Sequence, residues 1–126
     1  VLVEGGDMDE PIADTARSIL DGHMVLTREL AARNHYPCID IGHSVSRLMS
    51  AVAATEHKKS AGKVREILAK YQEAEDLINI GAYVKGSNSK IDYAIDKIDA
   101  VNNFLRQGTM ENISFDESVR ILTGIV

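Results

Sequence analysis

Residues 35–47 read His35-Tyr36-Pro37-Cys38-Ile39-Asp40-Ile41-Gly42-His43-Ser44-Val45-Ser46-Arg47, and the texture of the chain differs on the two sides of this stretch. Upstream, short apolar runs alternate with turn residues. Val1-Leu2-Val3 reads as the end of a buried strand, stopped by Gly5-Gly6. Asp7-Met8-Asp9-Glu10 is turn material, and Pro11 suits the first turn of a helix. Acids gathered before a helix start favour the positive end of its dipole. That helix is predicted over 12–20, with Ile12, Ala16, Ile19 and Leu20 on one face. Asp21-Gly22 ends it, 23–27 reads as a second short strand, and 28–33 as a brief helix. At Tyr36-Pro37 the proline forces extended backbone. Strand, helix, strand and helix in so short a span form an α/β pattern.

Downstream of Arg47 the periodicity becomes helical. Over 54–80, Ala61, Val64, Ile67, Leu68, Tyr71, Ala74 and Ile78 share one stripe. Gly81 and Gly86-Ser87-Asn88-Ser89 mark a turn, after which Ile91, Ala94, Ile95, Ile98, Val101 and Leu105 form a second stripe that ends near Gly108. A last helix is expected from Asp116 onward, with Val119, Leu122 and Val126 as its spine and Ser114 as its cap. The reading is therefore α/β plus all-α, predominantly helical overall, with a boundary near residue 50: an α/β part over 1–50 and an all-helical part over 51–126. Two or three strands are too few for an independent α/β domain. An exposed strand edge and apolar face there are expected to drive self-association at high concentration.

Composition narrows the function classes. The 126 residues are 44% hydrophobic and 26% charged, the balance of an ordinary globular protein. A chain of this size buries roughly two-thirds of its unfolded surface. Its apolar runs fall short of the ~18 residues that a membrane span needs, and the lone Cys38 excludes an internal disulfide and fits a reducing, cytosolic setting. The net charge of −5 sits entirely in residues 1–14, which hold Glu4, Asp7, Asp9, Glu10 and Asp14 and no base. The balanced remainder argues against a nucleic-acid footprint, which needs clustered Lys and Arg. The chain opens inside an expected strand and without Met, which predicts that it is a piece of something longer.

Generic motifs are sparse. The sequence contains neither G-x-x-x-x-G-K-[ST] nor G-x-G-x-x-G, so its own glycines cradle no phosphate. The histidines at 23, 35, 43 and 57 lack a short ligand spacing, and no metal site is predicted. His35, Cys38 and Asp40 have the residue types of a cysteine nucleophile, but such partners converge from separate parts of a fold, and a small buried thiol is the plainer reading. Asp7 and Asp9 alternate like calcium ligands without the supporting Gly and distal Glu. Tyr36 and Arg47 remain, readable either as packing and ion pairing or as binding groups.

Several blocks together carry a resemblance. Val1-Leu2-Val3-Glu4-Gly5, Asp7-Met8-Asp9-Glu10-Pro11-Ile12-Ala13-Asp14, Leu20-Asp21-Gly22-His23, Arg28-Glu29-Leu30-Ala31, His35-Tyr36-Pro37 with Ile39-Asp40, and Ser44-Val45-Ser46-Arg47 resemble the export ATPases of flagellar and type III secretion systems. The likeness continues through Tyr71, Glu75-Asp76-Leu77-Ile78, Ile80-Gly81-Ala82-Tyr83, Gly86, Ile91-Asp92, Ala94 and Phe104-Leu105-Arg106-Gln107, and leans toward the flagellar members. These enzymes are related to the nucleotide-binding subunits of rotary ATP synthases. The pattern at Asp21-Gly22-His23 and His35-Tyr36-Pro37 favours the export branch over an ion-pumping one.

The resemblance implies the terminal strands and helices of a RecA-like P-loop ATPase domain, followed by a C-terminal helical bundle domain. It implies a parent that binds ATP and Mg2+ and couples hydrolysis in a homohexameric ring to protein export. The phosphate-binding loop and the catalytic acids would lie upstream, so the fragment alone is expected to bind no nucleotide and to be inactive. Implied partners are further copies of itself, a central stalk, a stator-like regulator and chaperone–cargo complexes. Nucleic acid is not among them. The implied location is the cytoplasmic face of the secretion apparatus, with the membrane export gate reached through proteins.

Three residues inherit roles from this likeness. Arg47 matches an arginine finger that reaches the neighbouring subunit's site, where a planar, permanently charged fork neutralises phosphoryl oxygens. Tyr36 matches a tyrosine that packs on adenine, and Phe115 a phenylalanine that closes the same pocket. The chain departs from the ATP synthase pattern at Thr109, where a second phenylalanine stands in that pocket. It departs again at the turn Val84-Lys85-Gly86-Ser87-Asn88-Ser89-Lys90, basic where the relative's shaft-contacting turn is acidic. That turn is the expected partner site, with an ordinary solvated connection as its plainer reading. As an alternative to an ATPase part, the chain is a non-catalytic helical binding module that docks a stalk, chaperone or cargo.

Overall fold

A computed structural model describes all residues, Val1 to Val126, and resolves two compact units, Val1–Val52 and Ala53–Val126. The first carries α1 (Pro11–Ile19), β1 (Gly22–Leu26), α2 (Arg28–Ala32), β2 (Ile39–Ser46) and the short α3 (Met49–Val52). Glu10 caps α1, its carboxylate accepting the Ala13 N–H at 3.2 Å, and Pro11 opens the helix where its missing N–H is not needed. Thr27 caps α2 in the same way, accepting the Leu30 N–H at 3.3 Å. Arg17 ties the acidic opening stretch to α1, donating to the Met8 carbonyl at 2.8 Å and pairing with Asp14 at 3.2 Å.

β1 and β2 pair antiparallel, with Gly22 opposite Ser46, His23 opposite Val45, Val25 opposite Asp40 and Leu26 opposite Ile39. β2 is the element that the sequence reading lacked. Ile39, Ile41 and Val45 alternate with Asp40, Gly42, Ser44 and Ser46 in the period-2 pattern of a strand, and only His43 departs from it.

The expected strand at Val1-Leu2-Val3 is not a strand. The only sheet has two strands, Val1 and Leu2 are fully exposed, and a 3-10 turn follows at Glu4–Gly6. A strand exists through its ladder partner, and this segment has none. The apolar face expected on α1 does form, but Ile12 and Ile19 lie on the surface and nothing in α1 is buried. Two strands cover too little area to enclose it.

The second unit is a three-helix arrangement of α4 (Thr55–Asn79), α5 (Ser89–Leu105) and α6 (Phe115–Ile125), each packed on the other two. Its core is Val64, Ile67, Ala94, Val101, Leu122 and Ile125, with Ala61, Leu68, Tyr71, Phe104 and Leu105 packed against it. Both expected stripes therefore supply the core. On α6 the spine is Leu122 and Ile125, three residues apart, with Val126 at its margin. Asn88 caps α5 through the Lys90 and Ile91 N–H groups, and Ser114 caps α6 through the Glu117 N–H. α4 is 25 residues long and its stripe alternates buried with half-buried positions, so its stability depends on the contacts with α5 and α6. The fold is mostly helical with a small sheet. No helix is long and apolar enough to cross a membrane.

Ile67 is 3% exposed at the centre of this core. Ile67→Ala is expected to destabilise the helical unit by roughly 2 to 5 kcal/mol through lost burial and the cavity left behind. Urea unfolding followed by helical circular dichroism measures it. A shift near zero is the contrary result.

Candidate functional site

The first unit builds its polar features on one strand. Between the pairs His23/Val45 and Val25/Asp40 the register shifts, and β2 carries the extra residues as a bulge. Its closing bonds are local. The Asp40 carboxylate accepts the His43 N–H at 3.1 Å and lies 2.8 Å from His43 Nδ1. Ser44 is buried, its hydroxyl donating to the Asp40 carbonyl at 2.5 Å and accepting the Val25 N–H at 3.0 Å. Ser44 thus bridges the backbones of the two strands where the register shifts.

Tyr36 and Arg47 flank this strand, one before it and one after it. The Tyr36–Pro37 peptide is cis, and Tyr36 is 51% exposed. Arg47 is exposed; its N–H donates to the Asp21 carbonyl at 2.9 Å and its guanidinium to the Ser18 carbonyl at 3.3 Å. The two stand at opposite ends of β2, and the structure does not bring them together.

The nucleophile types collected at 35–40 do not form a site either. Asp40 turns to His43 rather than to Cys38, His35 is buried, and Cys38 is a half-buried free thiol. In the opening turn, Asp7 accepts the Asp9 N–H at 3.0 Å, and Asp9 lies 3.6 Å from Arg17.

In the helical unit Phe115 opens α6, 69% exposed, with its ring edge-on to His57 at 5.7 Å between centroids. The α4–α5 connection is a tied structure rather than a loose loop. Asp92, in the first turn of α5, accepts the Tyr83 hydroxyl at 2.7 Å and the Gly86 N–H at 2.9 Å. Gly86 sits at φ 93°, where glycine alone is unstrained. Partial desolvation first, and the bond to Asp92 next, hold the Tyr83 phenol above its ordinary value. The tip so formed exposes Leu77, Ile80 and Val84 beside Lys85. Sequence reading missed the Tyr83–Asp92 tie, because the two residues are nine apart and only the turn brings them together.

Residues 53–124 match the family model of the T3SS EscN ATPase C-terminal domain, and residues 1–46 match the nucleotide-binding domain of the ATP synthase alpha/beta family. The chain belongs to the type III secretion ATPase family. The flagellum-specific ATP synthase of Bacillus subtilis (strain 168) is 50% identical over 125 residues, which are 99% of this chain and 28% of that protein. The assembled ATPase EscN from the enteropathogenic E. coli type III secretion system superposes with a TM-score of 0.95 at 42% identity, over 99% of this chain and 30% of that one. EscN in complex with its central stalk EscO superposes with a TM-score of 0.86 at 43% identity, over 91% of this chain and 28% of that one. The chain spans less than a third of each of these relatives. In this secretion-ATPase chain, Arg47 follows directly on the segment matched to the nucleotide-binding domain.

Ser44→Ala removes the buried hydroxyl that accepts the Val25 N–H and donates to the Asp40 carbonyl. Leaving buried polar groups unpaired costs roughly 1 to 3 kcal/mol. Denaturant unfolding of the chain is expected to show a loss of that order. An unchanged midpoint contradicts the role given to the hydroxyl.

Proposed function

We propose that this chain is the C-terminal part of a flagellar or type III export ATPase, comprising the end of its RecA-like domain and its helical domain. The parent couples ATP hydrolysis in a homohexameric ring to protein export, and Arg47 is the finger that each subunit lends to its neighbour. The observation that carries the reading is the placement of Tyr36 and Arg47 at opposite ends of β2, both exposed. One strand thereby offers a flat aromatic at one end and a permanent cation at the other, the two requirements of different nucleotide sites. Tyr36 suits stacking on the adenine of the subunit's own ATP, an affinity contact that needs no base-specific hydrogen bond. Phe115, also exposed at its helix start, is a second adenine contact. Thr109 replaces a further aromatic with a small polar residue, so the base is held less tightly than a double phenylalanine would hold it.

The residues present fit the nucleotide in part. An aromatic and a guanidinium suit a base and phosphoryl oxygens, whereas no group of three His, Cys, Asp or Glu side chains here could hold a metal ion. On this reading it is the full-length enzyme that binds ATP and Mg2+, and titration of the isolated chain with Mg-ATP is expected to show no binding. The parent is cytoplasmic and reaches the membrane export gate through proteins.

The tied tip between α4 and α5 favours a compatible second reading, in which the helical unit docks other proteins. Asp92 holds the tip in one conformation, which lowers the ordering cost of binding, while Leu77, Ile80 and Val84 supply apolar contact and Lys85 the charge. The central stalk is the proposed occupant, supported by the EscN–EscO complex. A stator-like regulator and chaperone–cargo complexes are further partners of the parent.

In the full-length enzyme, Arg47→Ala is expected to lower kcat by about 10³-fold or more with nucleotide affinity nearly intact, since fingers contribute about 10³ to 10⁵ in rate. Tyr36→Ala is expected to weaken nucleotide affinity instead. Steady-state hydrolysis and titration with a fluorescent ATP analogue separate the two. Near-normal turnover of an Arg47→Ala hexamer, or unchanged affinity in Tyr36→Ala, removes the respective assignment. For the tip, Val84→Asp is expected to abolish co-sedimentation with the stalk protein while leaving hydrolysis without the stalk unaffected; retained stalk binding rejects the tip.

A further inference from the structure

We infer that the turn from α1 into β1, residues Ser18 to Gly22, is a seat that sets where Arg47 stands, and that Gly22 is a positioning residue for ATP turnover. The inference rests on the proposed role of Arg47 as finger.

Three contacts from five consecutive residues hold the end of β2. The Arg47 N–H donates to the Asp21 carbonyl at 2.9 Å, which anchors the root of the side chain. The guanidinium donates to the Ser18 carbonyl at 3.3 Å, which holds its tip. Ser18 lies in the last turn of α1, where carbonyls have no partner within the helix and the dipole end is negative, so a cation is a fitting partner.

The third contact is steric. Gly22 stands opposite Ser46, so close that a Cβ at position 22 would lie 2.7 Å from the Val45 carbonyl oxygen and 3.3 Å from the Ser46 Cα. Both are backbone atoms, and neither can swing aside as a side chain would. The residues just before Arg47 therefore take this position because residue 22 has no side chain. Any larger residue moves them, and Arg47 with them.

The two polar contacts differ in kind. The anchoring bond is short and made by backbone at both ends. The tip bond is long and exposed, and is exchanged for phosphoryl oxygens when the neighbouring site offers them. The seat fixes the root firmly and leaves the fork free to move, which suits a group that must reach a separate subunit and return. A displacement of about 1 Å in a positioned group can cost about 10²-fold in rate.

The test is a double-mutant cycle in the full-length ATPase. Gly22→Ala is expected to lower kcat about ten- to hundred-fold, with nucleotide affinity and hexamer assembly retained. In an Arg47→Ala background the same substitution is expected to add no further loss, because the group it misplaces is gone. Gly62→Ala, at a helical glycine with nothing within 4 Å of the added carbon, is the control and leaves turnover unchanged. A silent Gly22→Ala overturns the seat, as does a loss of equal size in both backgrounds. Normal turnover of Arg47→Ala itself identifies failure of the finger assignment and takes the seat with it. If Gly22→Ala fails to assemble, Ile19→Pro serves instead, since proline there drives Ser18 out of helical backbone and turns its carbonyl away without adding bulk beside β2. The same loss, absent in the Arg47→Ala background, supports the seat; equal losses in both overturn it.

Discussion

The first unit depends on how closely two backbones approach at the start of its small sheet. Gly22 lies against the Val45 carbonyl with no room for a side chain, and this contact aligns the end of β2 with the end of α1. Farther along the pair, β2 gains residues that β1 lacks. At the bulge the buried Ser44 hydroxyl accepts the Val25 N–H and donates to the Asp40 carbonyl. A side chain from within the bulge thus joins the two strands where their register shifts. The ends of that strand are flanked by two exposed side chains, Tyr36 and Arg47.

The helical unit obeys a different constraint. Its three helices share one apolar core, and two of them begin at side-chain caps. Asn88 and Ser114 cap α5 and α6, and Asp92 extends the same device outward to Tyr83 and Gly86. The connection between α4 and α5 is consequently ordered by bonds of its own. A connection ordered in this way loses less entropy on binding than a loose loop does.

Legibility from sequence followed the range of the interactions involved. Helical stripes were readable because their period is local, and Val64, Ile67, Ala94, Val101 and Leu122 all lie in the observed core. The cap at Ser114 was readable for the same reason. Val1-Leu2-Val3 has strand propensity, and Val3 is extended, but the triplet has no ladder partner in this structure and so forms no strand. β2 carries the period-2 pattern at Ile39, Ile41 and Val45, broken only at His43, whereas its bulge over residues 41–44 is visible only across the sheet.

The sequence by itself determined the class of the chain: an α/β stretch, then helices, with the acid concentrated at one end and blocks that resemble an export ATPase. These are properties of residue type and short spacing. Tertiary structure decided where Tyr36 and Arg47 stand relative to β2, what Ser44 bonds to, and how little room position 22 leaves for a side chain. Each of those depends on atoms brought together from separate segments, whose distances no spacing along the chain encodes.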